Sequence, residues 1–338
     1  PPWVLDRSSR HAGAFPPSAA SHPSPYPPSP GTRLSLSEKF VGFDASGRRA
    51  TEGTGPFLPV HGPTSRVAAL APMEDPMAAP DTQPTRYEVR EGAAWITLTS
   101  PKTRNALSGP LVARLGQHLE DATADDAVRA IVLTGEGPAF CAGADLKNRG
   151  DMGDSGKNEG NPFVGIMKAL RDGPKPTICA VNGHAFGGGL GLVAAADIAI
   201  GVTGARFSFS EVRIGVIPAM ISVIVLPVVG PRDTLRLFLT GERFGGEDAV
   251  RYNLLHRCVE ADQLEASVQE EIDAIAKGGP HAIREAKALV RTVFGSPEDE
   301  AFAYAEKKIA ELFRSDEARE GMSAFAAKRP PNWIQSSD

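Results

Sequence analysis

Between residue 1 and about residue 84 the apolar positions keep no period, neither the alternation of a strand nor the 3.6-residue repeat of a helix. From Tyr87 the pattern turns regular. Residues 87–90 and 94–98 flank Glu91-Gly92-Ala93, which predicts a hairpin. Ser108 precedes Leu111, Val112, Leu115 and Leu119, the spacing of one helix face behind a hydroxyl cap. Apolar runs at 129–134, 177–181 and 198–200 predict buried strands, and 205–208 predicts another. Helices are predicted over 163–171, over the small-residue run 188–196, and over 221–229, read as a buried helix despite Pro227. Residues 147–161 are glycine-rich and mixed in charge, the pattern of a mobile loop. After Arg232 nearly every segment has helical period, with one short strand at 255–259. Strands with helices first, then helices alone, predict an α/β core with a helical C-terminal cap. The expected division is an N-terminal extension (1–84), a core (85–270) and a helical region (271–338).

The proline distribution sharpens the first boundary. Sixteen of the 29 prolines fall in residues 1–84. Such a stretch buries too little surface to offset its ordering entropy, so it is expected to be disordered. The first methionines are Met73 and Met77, and a start at either would make the upstream stretch a non-native extension. A transit peptide is the rival reading, but the prolines break any amphipathic helix there. The 338 residues, 41% apolar, suffice for one or two domains with a core. A formal net charge of −5 argues against a nucleic-acid binder and against a basic membrane-surface protein. Cys141, Cys179 and Cys258 make neither a bridge framework nor a metal motif, which favours the reducing cytoplasm and no metal. No apolar run reaches the roughly 20 residues of a membrane span.

Two runs carry the chemistry. One is Pro138-Ala139-Phe140-Cys141-Ala142-Gly143-Ala144-Asp145-Leu146-Lys147; the other is Ala180 to Gly191, with Gly187-Gly188-Gly189 at its centre. Each reads as a strand end entering a loop with little side chain, and the second opens a helix, whose first N–H groups lack partners. Two such N–H groups aimed at one point form an oxyanion hole. Glu211 is a candidate acid/base for a carbonyl that gains charge there.

These runs resemble the crotonase (enoyl-CoA hydratase/isomerase) superfamily. So do Pro101-Lys102-Thr103-Arg104-Asn105-Ala106-Leu107, the run from Phe207 to Pro218, Phe238-Leu239-Thr240-Gly241 and the tail from Lys328 to Trp333. Together they cover roughly residues 86–333 in order. The resemblance implies a crotonase (ClpP-like) spiral of ββα turns with a C-terminal helical trimerisation region, assembled as a trimer or dimer of trimers. It implies an acyl-CoA substrate and no cofactor, coenzyme A being part of the substrate. It assigns the oxyanion donors to the N–H groups of Ala144 and Gly188, and a catalytic carboxylate to Glu211. Lys102, Arg104 and Lys147 become candidates for the coenzyme A phosphates, with Ala142, Asp145, Leu146, Gly187, Gly191 and Pro218 lining the substrate site.

Family hydratases usually carry a second glutamate two residues after the triple glycine. Here that position is Gly191. One carboxylate suffices for a Δ3,Δ2-enoyl-CoA isomerase, whereas hydration normally uses two. Yet the runs around Gly188 and Glu211 most resemble bacterial methylglutaconyl-CoA hydratases, so hydration is the leading expectation. A non-catalytic coenzyme A-binding protein is the alternative from another class. RNA binding, known for one relative, does not fit the acidic balance. His184 reads as a packed loop residue, and Cys141 has no evident histidine to make it a thiolate.

Overall fold

A computed structural model describes residues 83–146 and 160–334. The chain divides into two units, Pro1–Glu74 and Asp75–Asp338, and every described residue belongs to the second. The expectations for the extension up to residue 82, for most of the loop and for Lys147 lie outside the described residues.

β1 (Thr85–Arg90) and β2 (Ala93–Leu98) form the expected antiparallel hairpin. Its two-residue turn places Glu91 at φ 51° and Gly92 at φ 73°, the left-handed pair that matches strand twist. α1 (Gly109–Ala124) starts at Ser108, whose side chain accepts the Leu111 N–H, and buries Leu111, Val112, Leu115 and Leu119. β3 (Ala130–Gly135), β5 (Thr177–Val181), β7 (Ile198–Val202) and β9 (Arg257–Val259) continue the sheet in parallel, in the order β1-β2-β3-β5-β7-β9. Helices α2 (Pro162–Asp172) and α3 (Gly188–Ala195) lie in the crossovers. Seven of the eight residues of α3 are buried, which its small side chains permit.

A second sheet has only one counterpart in the apolar pattern, the strand predicted at 205–208. β4 (Ala139–Cys141), β6 (His184–Phe186) and β8 (Phe207–Ser208) are short parallel strands in the order β4-β6-β8. Because they run parallel, their C-terminal ends deliver three loops to one edge.

The remaining elements are helical: α4 (Ala219–Val229), α5 (Pro231–Thr240), α6 (Gly246–Arg251), α7 (Leu264–Ala276), α8 (Pro280–Val293), α9 (Glu298–Leu312) and α10 (Asp316–Ala326). α4 corrects one expectation. It buries Ile221, Ile224, Val225 and Val229, but Val223 and Leu226 are exposed, so it is a one-sided helix. Among the described residues no helix is long and apolar enough to cross a membrane.

Candidate active site

The small sheet builds the site. β4 ends at Cys141 and runs into Ala142-Gly143-Ala144, while the neighbouring β6 ends at Phe186 and runs into Gly187-Gly188-Gly189. The loops touch at Gly143, whose φ is +85°. A Cβ on Gly143 would stand 2.7 Å from the Phe186 carbonyl oxygen and 3.2 Å from the Gly188 nitrogen. Only glycine permits both that backbone angle and that approach.

Hydrogen bonding leaves donors over in both loops. Leu107 N–H donates to the Gly143 carbonyl (2.8 Å) and Ala142 N–H to the Arg104 carbonyl (2.9 Å). At the start of α3, Leu190 and Gly191 N–H share the Gly187 carbonyl. The N–H groups of Ala144 and Gly188 have no acceptor among the described residues. Gly188 is the first residue of its helix, so the helix dipole adds positive potential there.

β8 delivers the third part. It pairs with β6, and the chain then enters a short 3-10 turn, Glu211–Ile214. A Cβ on Gly187 would lie 2.8 Å from Glu211 Oε1, so the carboxyl rests against the triple-glycine loop. Glu211 Oε2 is buried without a hydrogen-bond partner. Burial raises the carboxyl pKa above its ordinary value, partly opposed by the residue's own backbone. A carboxyl so placed can both take and return a proton.

The apolar run Ile214-Gly215-Val216-Ile217 after Glu211 has the sequence pattern of a buried segment, and the structure reverses this. Ile214, Val216 and Ile217 are exposed, the last at 71%, and Pro218 is the buried one. Gly191, expected to line the substrate site, is tightly enclosed. It is buried on α3, where a Cβ would lie 3.1 Å from Ile221 Cβ, overlap Ile221 Cγ2, and stand 3.3 Å from Met167 Sδ.

Lys102 and Arg104 are exposed on the loop after β2, Leu146 is half exposed, and Asp145 is partly buried. His184 Nδ1 accepts the Arg206 N–H at 3.1 Å, which fixes the ring as a loop brace. Cys141 is fully buried, and burial pushes its thiol up to about 12, so it stays protonated. Among the described residues no group of three His, Cys, Asp or Glu side chains could hold a metal ion.

Two asparagines that the sequence reading left without a role hold the loops in place. Fully buried Asn105 donates to the Glu136 (3.1 Å) and Ala139 (2.8 Å) carbonyls and accepts the Ser100 N–H (2.9 Å), tying the 100–107 loop to β4. Asn182 joins Gly135 N–H (3.0 Å) to the Gly137 carbonyl (2.9 Å). For Asn182 a polar side chain inside an apolar run was the available signal.

Residues 88–336 match the family model described as enoyl-CoA hydratase/isomerase. Carnitinyl-CoA dehydratase of Escherichia coli K12 is 33% identical over 246 residues, covering 70% of this chain and 93% of that protein. The structure also superimposes on solved ones. Pseudomonas aeruginosa AtuE gives a TM-score of 0.70 at 33% identity, over 75% of this chain and 100% of that one. An enoyl-CoA hydratase from Shewanella pealeana gives 0.69 at 32%, over 74% and 96%.

Proposed function

The chain belongs to the enoyl-CoA hydratase/isomerase family and is an enzyme of that type, and on that footing we propose that it adds water to, or removes it from, an α,β-unsaturated acyl-CoA. The observation that carries the reading is one buried carboxyl oxygen of Glu211 without a partner, beside the loop that bears the free Gly188 N–H. Ala144 and Gly188 N–H hold the thioester oxygen as it gains charge. Preorganised donors favour that enolate over the ground-state carbonyl. Glu211 takes a proton from water as the oxygen adds to the β-carbon, and returns a proton to the α-carbon. In the reverse direction it removes the α-proton and protonates the departing hydroxyl. No metal or further cofactor enters this scheme.

Lys102 and Arg104 meet the coenzyme A phosphates in this reading, and the acyl group is of the methylglutaconyl type. The relative named carnitinyl-CoA dehydratase supports a water-elimination chemistry. The enzyme works in the cytoplasm as a trimer or a dimer of trimers. One observation favours a second reading: Ile221 and Met167 close the space around Gly191, so no second carboxylate can stand there without repacking. A single Glu211 that moves a proton between two carbons would make the enzyme a Δ3,Δ2-enoyl-CoA isomerase.

An acyl-CoA panel separates these readings: crotonyl-CoA and 3-methylglutaconyl-CoA in both directions, and a β,γ-enoyl-CoA. Loss of the conjugated-thioester absorbance with a hydroxyacyl product supports hydration. Gain of that absorbance from the β,γ-substrate without hydroxyacyl product would replace it with isomerisation. Binding without any turnover would leave a coenzyme A-binding protein.

A further inference from the structure

A cavity of about 1180 Å³ lies between the start of β1, the turn after β2 and the N-terminal part of α1. Neither Gly188 nor Glu211 lines it, although Lys102 and Asp145 do. Its walls hold an unusual set of groups. Thr85 Oγ1, Arg114 Nε and both ring nitrogens of His118 have no hydrogen-bond partner, four of the eight such buried side-chain atoms among the described residues. Thr85 is 2% exposed and His118 5%.

These side chains are neighbours. Arg114 and His118 stand four residues apart on α1 and share a face. The Arg114 charge and the Thr85 backbone both act on the His118 ring. Tyr87 stacks on that ring at 5.1 Å, while the Asp121 carboxylate stays 3.9 Å from Nδ1, beyond hydrogen-bonding range. Gln83 Oε1 occupies only one Arg114 nitrogen, Nη2. Buried polar groups are costly to leave unpaired, and a cluster of them in one open cavity calls for a ligand.

The unpaired groups define its chemistry. The Arg114 Nε–H, the Thr85 hydroxyl and an imidazole N–H are all donors. Ser108 and Pro110, at the N-terminus of the 16-residue α1, also line the cavity, and Lys102 adds a cation. The Glu136 carboxylate is already opposed by Arg86 at 3.8 Å. Converging donors beside a helix N-terminus suit an oxyanion. We propose that this cavity binds a phosphate group on Arg114, His118 and Thr85. Burial and Arg114 push the His118 pKa down, and a bound phosphate would push it back up. The phosphate belongs either to a free phosphorylated metabolite or to the phosphate end of coenzyme A; only the second source rests on the function proposed above.

The test titrates the full-length protein with inorganic phosphate at constant ionic strength, reading the His118 ring resonances and the melting temperature. A saturable shift of both is expected. Thr85→Val and Arg114→Gln should fold at least as well as the parent without phosphate and bind it about tenfold more weakly or worse. No saturable response, or an undiminished response in both variants, would overturn the site. Coenzyme A is then compared with dephospho-coenzyme A. A preference for coenzyme A that disappears in Arg114→Gln assigns the phosphate to the substrate. Equal binding of the two, with the phosphate response intact, assigns it to a separate ligand. Lack of acyl-CoA turnover would count against the proposed function and leave the phosphate titration standing.

Discussion

Ile221 occupies the space that a side chain on Gly191 would need. A Cβ built there would overlap Ile221 Cγ2 and stand 3.1 Å from Ile221 Cβ. Gly191→Glu alone should therefore destabilise the protein by about 1–3 kcal/mol through overlap, with the cost of a buried carboxylate added. Ile221→Ala opens the space at its own cavity cost, about 2–5 kcal/mol. The double variant should lose less than the sum of the two by about 1 kcal/mol or more. Urea denaturation of all four proteins measures this, and strict additivity would mean that the residues do not compete for one space. Crotonyl-CoA hydration should be higher in the double variant than in Gly191→Glu.

Glu211→Gln keeps the side-chain shape and removes the base. A positioned acid/base contributes roughly 10²–10⁴-fold, so kcat should fall by that factor on any substrate the panel identifies. Acyl-CoA binding, read by calorimetry, should persist, because the oxyanion donors remain. Near-parental turnover would move the proton transfer to another residue.

How much of this was legible in the sequence depended on range. The hairpin at Gly92 and the helix after Ser108 could be read because turn, cap and period all lie within a few residues. The Gly143 and Gly188 loops could be read because glycine marks close backbone approach. Of the sheet β4-β6-β8 only the strand within 205–208 could be read, since strands of two or three residues have no period. The contact between Gly191 and Ile221 joins two helices and leaves no local trace. Ile214 to Ile217 misled for another reason: an apolar run shows that a segment favours cover, not that its own chain supplies it.

The same Glu211→Gln change should stabilise the fold in a pH-dependent way. Burial raises the Glu211 pKa above its ordinary 4.5. Below that value the carboxyl is protonated in both folded and unfolded chains, and parent and variant should melt alike. As pH rises through the folded-state value the parent must ionise a buried carboxyl and loses stability, while the variant does not. The melting-temperature difference should therefore open in the variant's favour as pH rises above about 4.5. A difference independent of pH would contradict the burial argument.

The exposed apolar residues predict self-association. Phe294 is 73% exposed, Phe302 62%, Phe313 61% and Phe325 87%, all at or beyond the ends of α8 or on α9 and α10 or their flanks. Ile217, Val223, Leu235 and Leu239 form a second exposed set around α4 and α5. A monomer rarely leaves so much apolar surface in water. Light scattering at micromolar concentration should give a mass of three or six chains, and Phe302→Asp with Phe313→Asp should lower it. A parent monomer would exclude the assembly.

Gly143 offers the sharpest test of the oxyanion loops. Its φ of +85° and the 3.2 Å that would separate a Cβ there from the Gly188 nitrogen make two separate demands on the residue. Alanine would violate both: the backbone angle costs about 1–3 kcal/mol, and the methyl would wedge the Ala144 loop away from Gly188. Gly230, with φ +84° and nothing within 4 Å of a Cβ, meets only the first demand and serves as the control. Gly230→Ala should lower the melting temperature and leave kcat near the parent value. Gly143→Ala should lower the melting temperature and also reduce kcat by about 10²–10³, the typical loss for one misplaced oxyanion donor. Because the donors act on charge that develops in the transition state, KM should move far less than kcat. Equal activity of the two variants would show that the approach of Gly143 to Gly188 does not set the catalytic geometry.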